Sequence, residues 1–344
     1  MKSIVKQVVA TDVAQKELVV CLGRMYDDWI PELYANKTFA NTEKGFAALI
    51  LWVNKLMDES IPVRYVMEAT GVYHEAFAYF LDGKGVEVSI VLPNKISNYV
   101  RTLEVKTVTD KTASEAIARF GLERNLDRWK RPEEIFRKLK QKSREYDQLV
   151  AERTLVKNQL HAEQTEAYPA KESIARMRTR ITLLNKQVRQ IKEEMNGLVK
   201  QDKAVSSSVE RITTIPGVGI LTAVSVLAET NGFELIRNKR QLTSYAGLDV
   251  KEKLSGTSVK GKPRISKKGN RYLRKAMYMP ALTAIRYEGR FKTLFTRLVS
   301  KHGIKMKAAV AVQRKLLEMI YTLYKTDAVF DKNYLKEGAI LSAV

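Results

Sequence analysis

Residues 3–23 have the sequence Ser-Ile-Val-Lys-Gln-Val-Val-Ala-Thr-Asp-Val-Ala-Gln-Lys-Glu-Leu-Val-Val-Cys-Leu-Gly, which sets the fold of the first part of the chain. Residues 5–11 and 17–22 are apolar runs on either side of a short polar break, and they predict two strands. Asp12 directly follows the first run. An acid at the end of a buried strand is costly unless water or a cation solvates it, so Asp12 is a candidate cation ligand.

Outward from this stretch, strands and helices alternate. Further strands are predicted over residues 63–67 and 86–92, and helices over residues 43–58, 73–82 and 113–120. The strand at 63–67 ends at Glu68, and Asp110 precedes the last of these helices. The alternation predicts an α/β sheet domain over residues 1–130.

Three acids, Asp12, Glu68 and Asp110, thus follow strands or precede a helix within one predicted unit. Clustered carboxylates repel each other, so a pocket that they share requires divalent metal. Two such metals about 4 Å apart can activate one oxygen and stabilise the leaving one in phosphoryl transfer. For a single acid, the capping of a strand or turn is the simpler explanation, whereas the three together favour a site.

The middle segment, residues 131–205, has a different pattern. Apolar residues alternate spacings of three and four at Ile174, Met177, Ile181, Leu184, Val188, Ile191, Met195 and Leu198. That pattern predicts a coiled-coil seam. A less regular apolar series runs from Ile135 to Leu160, and Pro169 interrupts the two. We therefore expect a helical hairpin or a pair of dimerising arms with a structural and oligomerising role.

Residues 206–344 predict a third, mainly helical domain. Serines 206–208 predict a flexible or capping joint, and helices are predicted over residues 270–300 and 304–325. Residues 216–219, Pro-Gly-Val-Gly, form a turn that opens an apolar helix. The amides of Gly217 and Gly219, with the helix N-terminus, make a phosphate-binding turn of the helix-hairpin-helix kind.

A basic loop separates that helix from the last two. Between Lys251 and Lys275 there are ten Lys or Arg and one acid. Such a density of cations must face water or a polyanion. The hydroxyl of Ser255 lies in its middle, with Thr257 and Ser258 close enough to be the alternative. Predicted nucleic-acid contacts are Lys260, Lys262, Arg264, Lys267, Lys268, Arg271 and Arg274.

Composition limits the classes of protein. The 344 residues carry 60 Lys or Arg and 38 Asp or Glu, a net charge of +22. Residues 1–130 hold 17 of each sign, whereas residues 206–344 hold 26 basic and 10 acidic side chains, so the expected polyanion surface is mostly C-terminal. Cys21 is the only cysteine and no apolar stretch reaches the ~20 residues of a membrane span, which predicts a cytoplasmic protein without a membrane partner.

These motifs together resemble a known family, the DEDD transposases of insertion sequences, some of which are recombinases guided by a bridge RNA. The resemblance rests on Thr-Asp12-Val-Ala, Met-Glu68-Ala-Thr-Gly-Val-Tyr and Thr-Asp110-Lys-Thr-Ala-Ser-Glu. In the C-terminal part it rests on Pro216-Gly-Val-Gly, Tyr245-Ala-Gly-Leu, Ser255-Gly and Arg264-Ile-Ser-Lys-Lys-Gly-Asn. The match runs in order along nearly the whole chain.

The resemblance implies an RNase H-like (RuvC-like) domain, a coiled coil and a C-terminal transposase domain. It implies that Ser255 forms a transient phosphoserine link with DNA and that Asp12, Glu68 and Asp110 bind Mg²⁺. The site would combine the acids of one subunit with the serine of another, so the expected partners are DNA, a guide RNA and further copies of the chain, as a dimer or tetramer.

One departure from the family pattern is visible. The family has a second Asp three residues after the third acid, where this chain has Ala113. Glu115 is about 140° around a helix from Asp110 and reaches the metals only if the helix starts late or bends. Either Glu115 substitutes, or three acids and nucleic-acid phosphates hold the metals, or the chain cleaves poorly.

Two other functions remain open at this point. A metal-dependent junction-resolving nuclease would use water and form no covalent link. A non-catalytic architectural binder would carry the same basic charge, with acids that serve only the structure.

Overall fold

A computed structural model describes residues 2–103, 107, 109–234, 236–252, 254–255, 259–261, 264–287 and 289–331. The chain divides once into compact units, Met1–Arg131 and Pro132–Val344. Within the ranges just given, no helix is long and apolar enough to cross a membrane.

A mixed five-stranded sheet forms the centre of the first unit. Its strands are β1 (Ile4–Val13), β2 (Glu17–Tyr26), β3 (Pro31–Ala40), β4 (Val63–Glu68) and β5 (Glu87–Val91). The spatial order is β3-β2-β1-β4-β5; β1 pairs with β2 and β2 with β3 antiparallel, while β4 is parallel to both β1 and β5. The predicted α/β architecture is confirmed. The edge strand β3 was not predicted, because most of it is half-buried or exposed and lacks an apolar run.

Helices cover both faces of this sheet. They are α1 (Glu43–Asn54), α2 (Glu75–Gly83), α3 (Pro93–Val100) and α4 (Asp110–Glu123). One core joins α1 and α2 to the sheet through Phe46 and Phe77, and a second core joins α3 and α4 to the opposite face. At Gly121 of α4, an added Cβ would lie 3.0 Å from Val66 and 3.1 Å from Val8, so this helix packs closely on β1 and β4.

The second unit begins with a long helical hairpin. Helices α5 (Glu134–Thr165) and α6 (Lys171–Gln201) are joined by polar pairs that run in opposite order along the two helices, such as Lys142 with Glu194 and Arg153 with Asn185. Along the predicted seam, Leu184, Val188, Ile191 and Met195 are buried. The last two belong to a core that includes Phe136 and Leu139 of α5. The coiled-coil assignment and its oligomerising role stay predictions.

Helices α7 (Lys203–Thr213), α8 (Ile220–Thr230), α9 (Lys239–Tyr245), α10 (Arg271–Tyr287), α11 (Gly289–His302) and α12 (Lys305–Thr326) complete the unit. The joint predicted at serines 206–208 is wrong, since these residues lie within α7. Asp202 caps α7 by accepting from the Val205 amide, and Val205, Val209 and Ile212 bury its apolar side. The segment predicted as one helix over residues 270–300 contains two, α10 and α11.

Residues 246–270, which we call the serine loop, connect α9 to α10 through four short strands. Strand β6 (Val250–Lys251) pairs with β9 (Arg264–Ile265), and β7 (Leu254–Ser255) pairs with β8 (Val259–Lys260), both antiparallel. The described parts of the loop therefore form two antiparallel strand pairs, and the Asn270 amide donates to the Tyr245 carbonyl where the loop ends meet.

Candidate functional site

Strand register brings Asp12 and Glu68 together. In the parallel pairing of β1 with β4, Thr11 lies opposite Met67, so Asp12 and Glu68 occupy the next positions on neighbouring strands. Neighbouring strands are about 4.8 Å apart. Side chains alternate between the two faces of a sheet, so Asp12 points to the same face as Ala10, and Glu68 to the same face as Val66. Ala10 and Val66 belong to the core beneath α4, so both acids lie on the α4 side of the sheet.

The start of α4 brings the third acid to the same edge. Thr109 caps the helix by accepting from the Thr112 amide, which fixes Asp110 as the first helical residue. Burial raises the pKa of Asp12, and the charge of Asp110 raises it further. Burial also raises the pKa of Glu68, with a further contribution from Asp12. The carboxylate of Asp12 therefore interacts with the charges of both Glu68 and Asp110, and each additional negative charge at this sheet edge is unfavourable.

The three acids suit a hard divalent cation. Carboxylate oxygens are the ligands that Mg²⁺ prefers, and it is commonly bound by one or two carboxylates, with waters and substrate phosphates as the remaining ligands. Among the described residues, no group of three His, Cys, Asp or Glu is arranged to hold a metal by itself. The three acids therefore do not form a complete metal site by themselves, and their binding of Mg²⁺ stays a prediction.

Glu115 lies in a different place. The helix starts at Asp110, so the late start that would turn Glu115 toward the trio does not occur. The Nδ2 of Asn36 on β3 donates to its Oε1 at 3.4 Å. Burial, followed by the charge of Glu115, raises the pKa of the Cys21 thiol on β2 to about 12. Glu115 therefore lies over β2 and β3, and its catalytic role stays a prediction.

Sequence reasoning missed a residue that ties the two acidic strand ends together. The Nδ2 of Asn41 donates to the carbonyl of Ala14, just beyond β1, at 2.9 Å, and to that of Tyr73, beyond β4, at 3.2 Å. An asparagine before a helix gives no local signal for such a contact, because both acceptors are backbone atoms distant in sequence.

The backbone of Ser255 lies on β7 opposite Val259 in the inner strand pair. The backbone of Lys260 is in β8, while Gly256, Thr257, Ser258 and Lys262 lie outside the described residues. The choice of Ser255 as nucleophile over Thr257 and Ser258 stays a prediction.

Four of the predicted basic contacts are exposed: Arg264, Lys267, Lys268 and Arg271. The Arg271 guanidinium lies 5.0 Å from the ring centroid of Tyr272, which holds it at the helix start. Arg274 differs, because its Nη1 donates to the carbonyls of Ala246 at 2.8 Å and Gly269 at 3.2 Å. Its guanidinium already binds the two ends of the serine loop.

The two glycines of the Pro216 turn have different surroundings. Gly217 has φ +89°, and an added Cβ would lie 2.8 Å from the carbonyl oxygen of Pro280 in α10, so packing alone requires glycine there. Gly219 is the N-cap of α8 and has open space on its side-chain face. Both stay predicted phosphate contacts.

A buried acid that the sequence did not single out lies beside the serine loop. Glu229, at the end of α8, is 3% exposed. Arg144 of α5 donates to its two carboxylate oxygens, from Nε at 2.7 Å and from Nη2 at 3.0 Å. The Nδ2 of Asn270 donates to it at 2.6 Å. An acid ending the apolar run 223–228 was the available signal.

Two family models match the chain. One, described as "Transposase" of the DEDD IS110 type, matches residues 9–169 and includes the three acids, and the other, "Transposase IS116/IS110/IS902 family", matches residues 209–296 and includes the serine loop. Together they span more than two thirds of the sequence. The α/β unit that carries the three acids and the cationic helical unit thus define an enzyme of the DNA transposase and recombinase class.

Two relatives match three quarters or more of the chain. The pilin gene-inverting protein of Moraxella bovis is 28% identical over 333 residues, which cover 95% of this chain and 98% of that protein. The transposase for insertion sequence element IS1111A of Coxiella burnetii is 25% identical over 287 residues, 75% of this chain and 76% of that protein. This chain belongs to the IS110 family of DEDD transposases.

Among solved structures, T. thermophilus RuvC in complex with a Holliday junction substrate has 9% sequence identity and a TM-score of 0.28, covering 36% of this chain and 99% of that chain. Because this structural likeness is weak, the family assignment rests on the sequence matches.

Proposed function

We propose that this protein cuts and rejoins DNA strands through a serine–phosphodiester intermediate at Ser255, with Mg²⁺ held by Asp12, Glu68 and Asp110. The observation that carries the proposal is the position of Asp12 at one sheet edge, level with Glu68 on the neighbouring strand and close enough to Asp110 for that charge to raise its pKa. Burial and the neighbouring charges raise the pKa of Asp12 and Glu68, and a bound cation would relieve the repulsion between these charges. The RNase H-like assignment of the first unit belongs to the same proposal.

In this proposal the three acids hold and orient the metal ion, and they do not attack the phosphate. Asp12 and Glu68 extend from neighbouring parallel strands and Asp110 from a capped helix start, so all three side chains have rigid supports. A bound divalent ion supplies Lewis-acid stabilisation of charge on the phosphate oxygens.

The serine chemistry consists of two exchanges at phosphorus. The Ser255 oxygen forms a bond to the phosphorus, its proton passes to a base or solvent, and the deoxyribose oxygen leaves and takes up a proton. In rejoining, a deoxyribose hydroxyl attacks the serine phosphodiester and the serine hydroxyl is restored. A serine hydroxyl is a poor nucleophile unless its charge is stabilised, and exposed cations such as Arg264 and Lys268 support that role.

Nucleic-acid binding follows from the charge of the second half. Exposed Lys and Arg of the serine loop contact the phosphate backbone without reading sequence, and a guide RNA of the bridge type supplies the choice of target. A relative named for inverting a pilin gene supports DNA rearrangement as the outcome.

Assembly into a dimer or tetramer uses the hairpin. Leu155 of α5 and Leu183 of α6 are 57% and 55% exposed, which leaves apolar surface on this arm for another copy. The acids of one subunit then act with the serine of another.

The test is covalent capture of labelled DNA on a denaturing gel in Mg²⁺. Wild-type protein and the Thr257→Ala and Ser258→Ala variants form the adduct, whereas Ser255→Ala does not. Equal adduct yield from Ser255→Ala refutes the serine role. If Ser255→Ala still cleaves while Asp12→Asn does not, the protein is a water-using nuclease. If no variant or condition gives a Mg²⁺-dependent product, it is an architectural binder.

A further inference from the structure

A group of polar side chains around the buried Glu229 closes the serine loop where its two ends meet. We call Arg144, Glu229, Tyr245 and Asn270 the loop anchor. They come from three helices, α5, α8 and α9, and from the residue that precedes α10. The loop begins directly after Tyr245 and ends at Asn270.

Asn270 is the centre of the loop anchor. Its backbone N–H donates to the Tyr245 carbonyl at 2.8 Å, which joins the end of the loop to its beginning. Its Oδ1 accepts from the backbone amides of Tyr272 and Leu273 and so caps the start of α10. Its Nδ2 donates to Glu229, so one side chain satisfies a helix cap and a buried carboxylate together.

Glu229 is fixed from the other sides as well. The paired donors of Arg144 hold its carboxylate in one plane, and the Tyr245 hydroxyl donates to the Glu229 backbone carbonyl at 3.0 Å. The Arg144 guanidinium also lies 4.5 Å from the centroid of the Tyr272 ring. The loop ends are thereby bonded to α5 and α8, which belong to the main helical core.

Close backbone contact makes this junction rigid. At Gly269, an added Cβ would lie 2.5 Å from the Tyr245 carbonyl oxygen and 2.7 Å from the Gly247 amide nitrogen. At Gly247, which has φ +65°, it would lie 2.7 Å from the Arg274 guanidinium. The two ends of the loop therefore lie in close backbone contact at Gly269.

A stability role alone does not account for the loop anchor. A buried ion pair contributes little more than apolar side chains of the same volume, because desolvation offsets the attraction between the charges. Such a pair is directional, however, and a directional bond fixes geometry. Here the fixed geometry belongs to the loop that carries Ser255.

We propose that Glu229 and Asn270 are positioning residues for strand cleavage, which hold the two ends of the serine loop so that its hydroxyl is presented to the scissile phosphate. The inference rests on the proposed function of Ser255 and adds the residues that aim it. Neither Glu229 nor Asn270 contacts the phosphate in this proposal.

The test is Asn270→Asp in the full-length protein. Aspartate caps a helix as well as asparagine does. It has no donor for Glu229 and places a second carboxylate against it. Misplacement of a reacting group by about 1 Å lowers rates by about 100-fold. We therefore expect the rate of adduct formation at saturating DNA to fall about 100-fold, with the DNA Kd within about twofold of wild type.

A matched control makes the same chemical change elsewhere. Asn238 caps α9 by accepting from the Gln241 amide, and Asn238→Asp should leave the adduct rate unchanged. The double variant Glu229→Gln/Asn270→Asp reverses the donor and acceptor, since the introduced glutamine can donate to the introduced aspartate. The glutamine amide group then also faces the Nη2 donor of Arg144, which shares the same Glu229 oxygen, so the double variant should recover part of the lost rate. A variant that merely unfolds would recover none. Wild-type rates for Asn270→Asp, or no recovery in the double variant, overturn the proposal.

Limited trypsin digestion separates this proposal from the serine mechanism. Trypsin cleaves after Lys and Arg, so the exposed Lys and Arg of the serine loop make it a substrate. Asn270→Asp should loosen the anchored ends of the loop, and cleavage within residues 251–268 should then be about tenfold faster than in Asn238→Asp. This readout needs no catalysis. If wild-type protein forms no adduct but Asn270→Asp is digested faster than Asn238→Asp, the serine mechanism alone is refuted. If Asn270→Asp and Asn238→Asp are digested at the same rate, the role of the loop anchor is refuted.

Discussion

Neutralising Asp12 should make the metal-free protein more stable while it abolishes activity. In Asp12→Asn, the amide keeps the size of the side chain and can still accept the hydrogen bond from the Val13 backbone that Asp12 accepts. What is removed is one charge that both Glu68 and Asp110 oppose. Most single substitutions destabilise a protein, so a gain in stability here is a specific expectation.

The size of the gain follows from the strand register. Carboxylates on neighbouring strands about 5–6 Å apart repel by ~0.8 kcal/mol in a water-like medium and ~3 kcal/mol at an effective dielectric constant of 20. The acids are half-buried to exposed, so screening favours the lower end, about 1 kcal/mol. For a unit of this size, that corresponds to a rise in Tm of about 3–5 °C.

The pH dependence has a definite sign. A carboxyl whose pKa is higher in the folded than in the unfolded state contributes stability below its ordinary pKa and loses it as pH rises through the raised value. Burial and the charge of Asp110 raise the pKa of Asp12, and burial and the charge of Asp12 raise the pKa of Glu68. Wild-type Tm in EDTA should therefore fall as pH rises above about 4, and Asp12→Asn should fall less.

Thermal unfolding in EDTA and in Mg²⁺ from pH 4 to pH 8 measures these effects. At a Mg²⁺ concentration of about ten times its Kd, wild-type stability should rise by about 1.4 kcal/mol, and Asp12→Asn should respond weakly. Glu59→Gln, which removes a charge from an exposed turn of the same unit, is the control and should change neither curve. An Asp12→Asn protein no more stable than wild type at pH 8 in EDTA would refute the shared acidic site.

Three further outcomes are expected. Lys268→Ala should reduce the slope of log DNA affinity against log salt concentration by about 1. Arg274→Ala should chiefly lower the Tm, because Arg274 binds backbone carbonyls. Equal effects of the two variants in salt titration and in thermal unfolding would contradict this difference. Gly217→Ala should destabilise by about 2 kcal/mol or more in urea unfolding, and Gly219→Ala by under about 1 kcal/mol, since only Gly217 has a positive φ and meets α10. The Cys21 thiol, with its pKa raised to about 12 and no exposure, should resist a thiol reagent at pH 8 until the protein unfolds; rapid native labelling would show that β2 is not buried.

Local patterns predicted much of the first unit. The runs at 5–11 and 17–22 gave β1 and β2, because burial on a sheet selects consecutive apolar, β-branched residues. Edge strand β3 was not predicted, because an edge strand buries too little apolar surface to require a run of apolar residues. Likewise, serines 206–208 suggested a joint by composition, but the cap at Asp202 and the apolar residues that follow made a helix.

The sequence by itself determined which residues carry charge and which carry apolar surface, and therefore the acids, the cationic loop and the elements that hold them. Only the tertiary structure decided that Asp12 and Glu68 share one face at adjacent positions, that Glu115 lies over β3, and that Asn270 joins Glu229. Periodicity is a local property that a short window contains. Strand register and a contact between residues 41 positions apart depend on how distant segments pack, which no local pattern encodes.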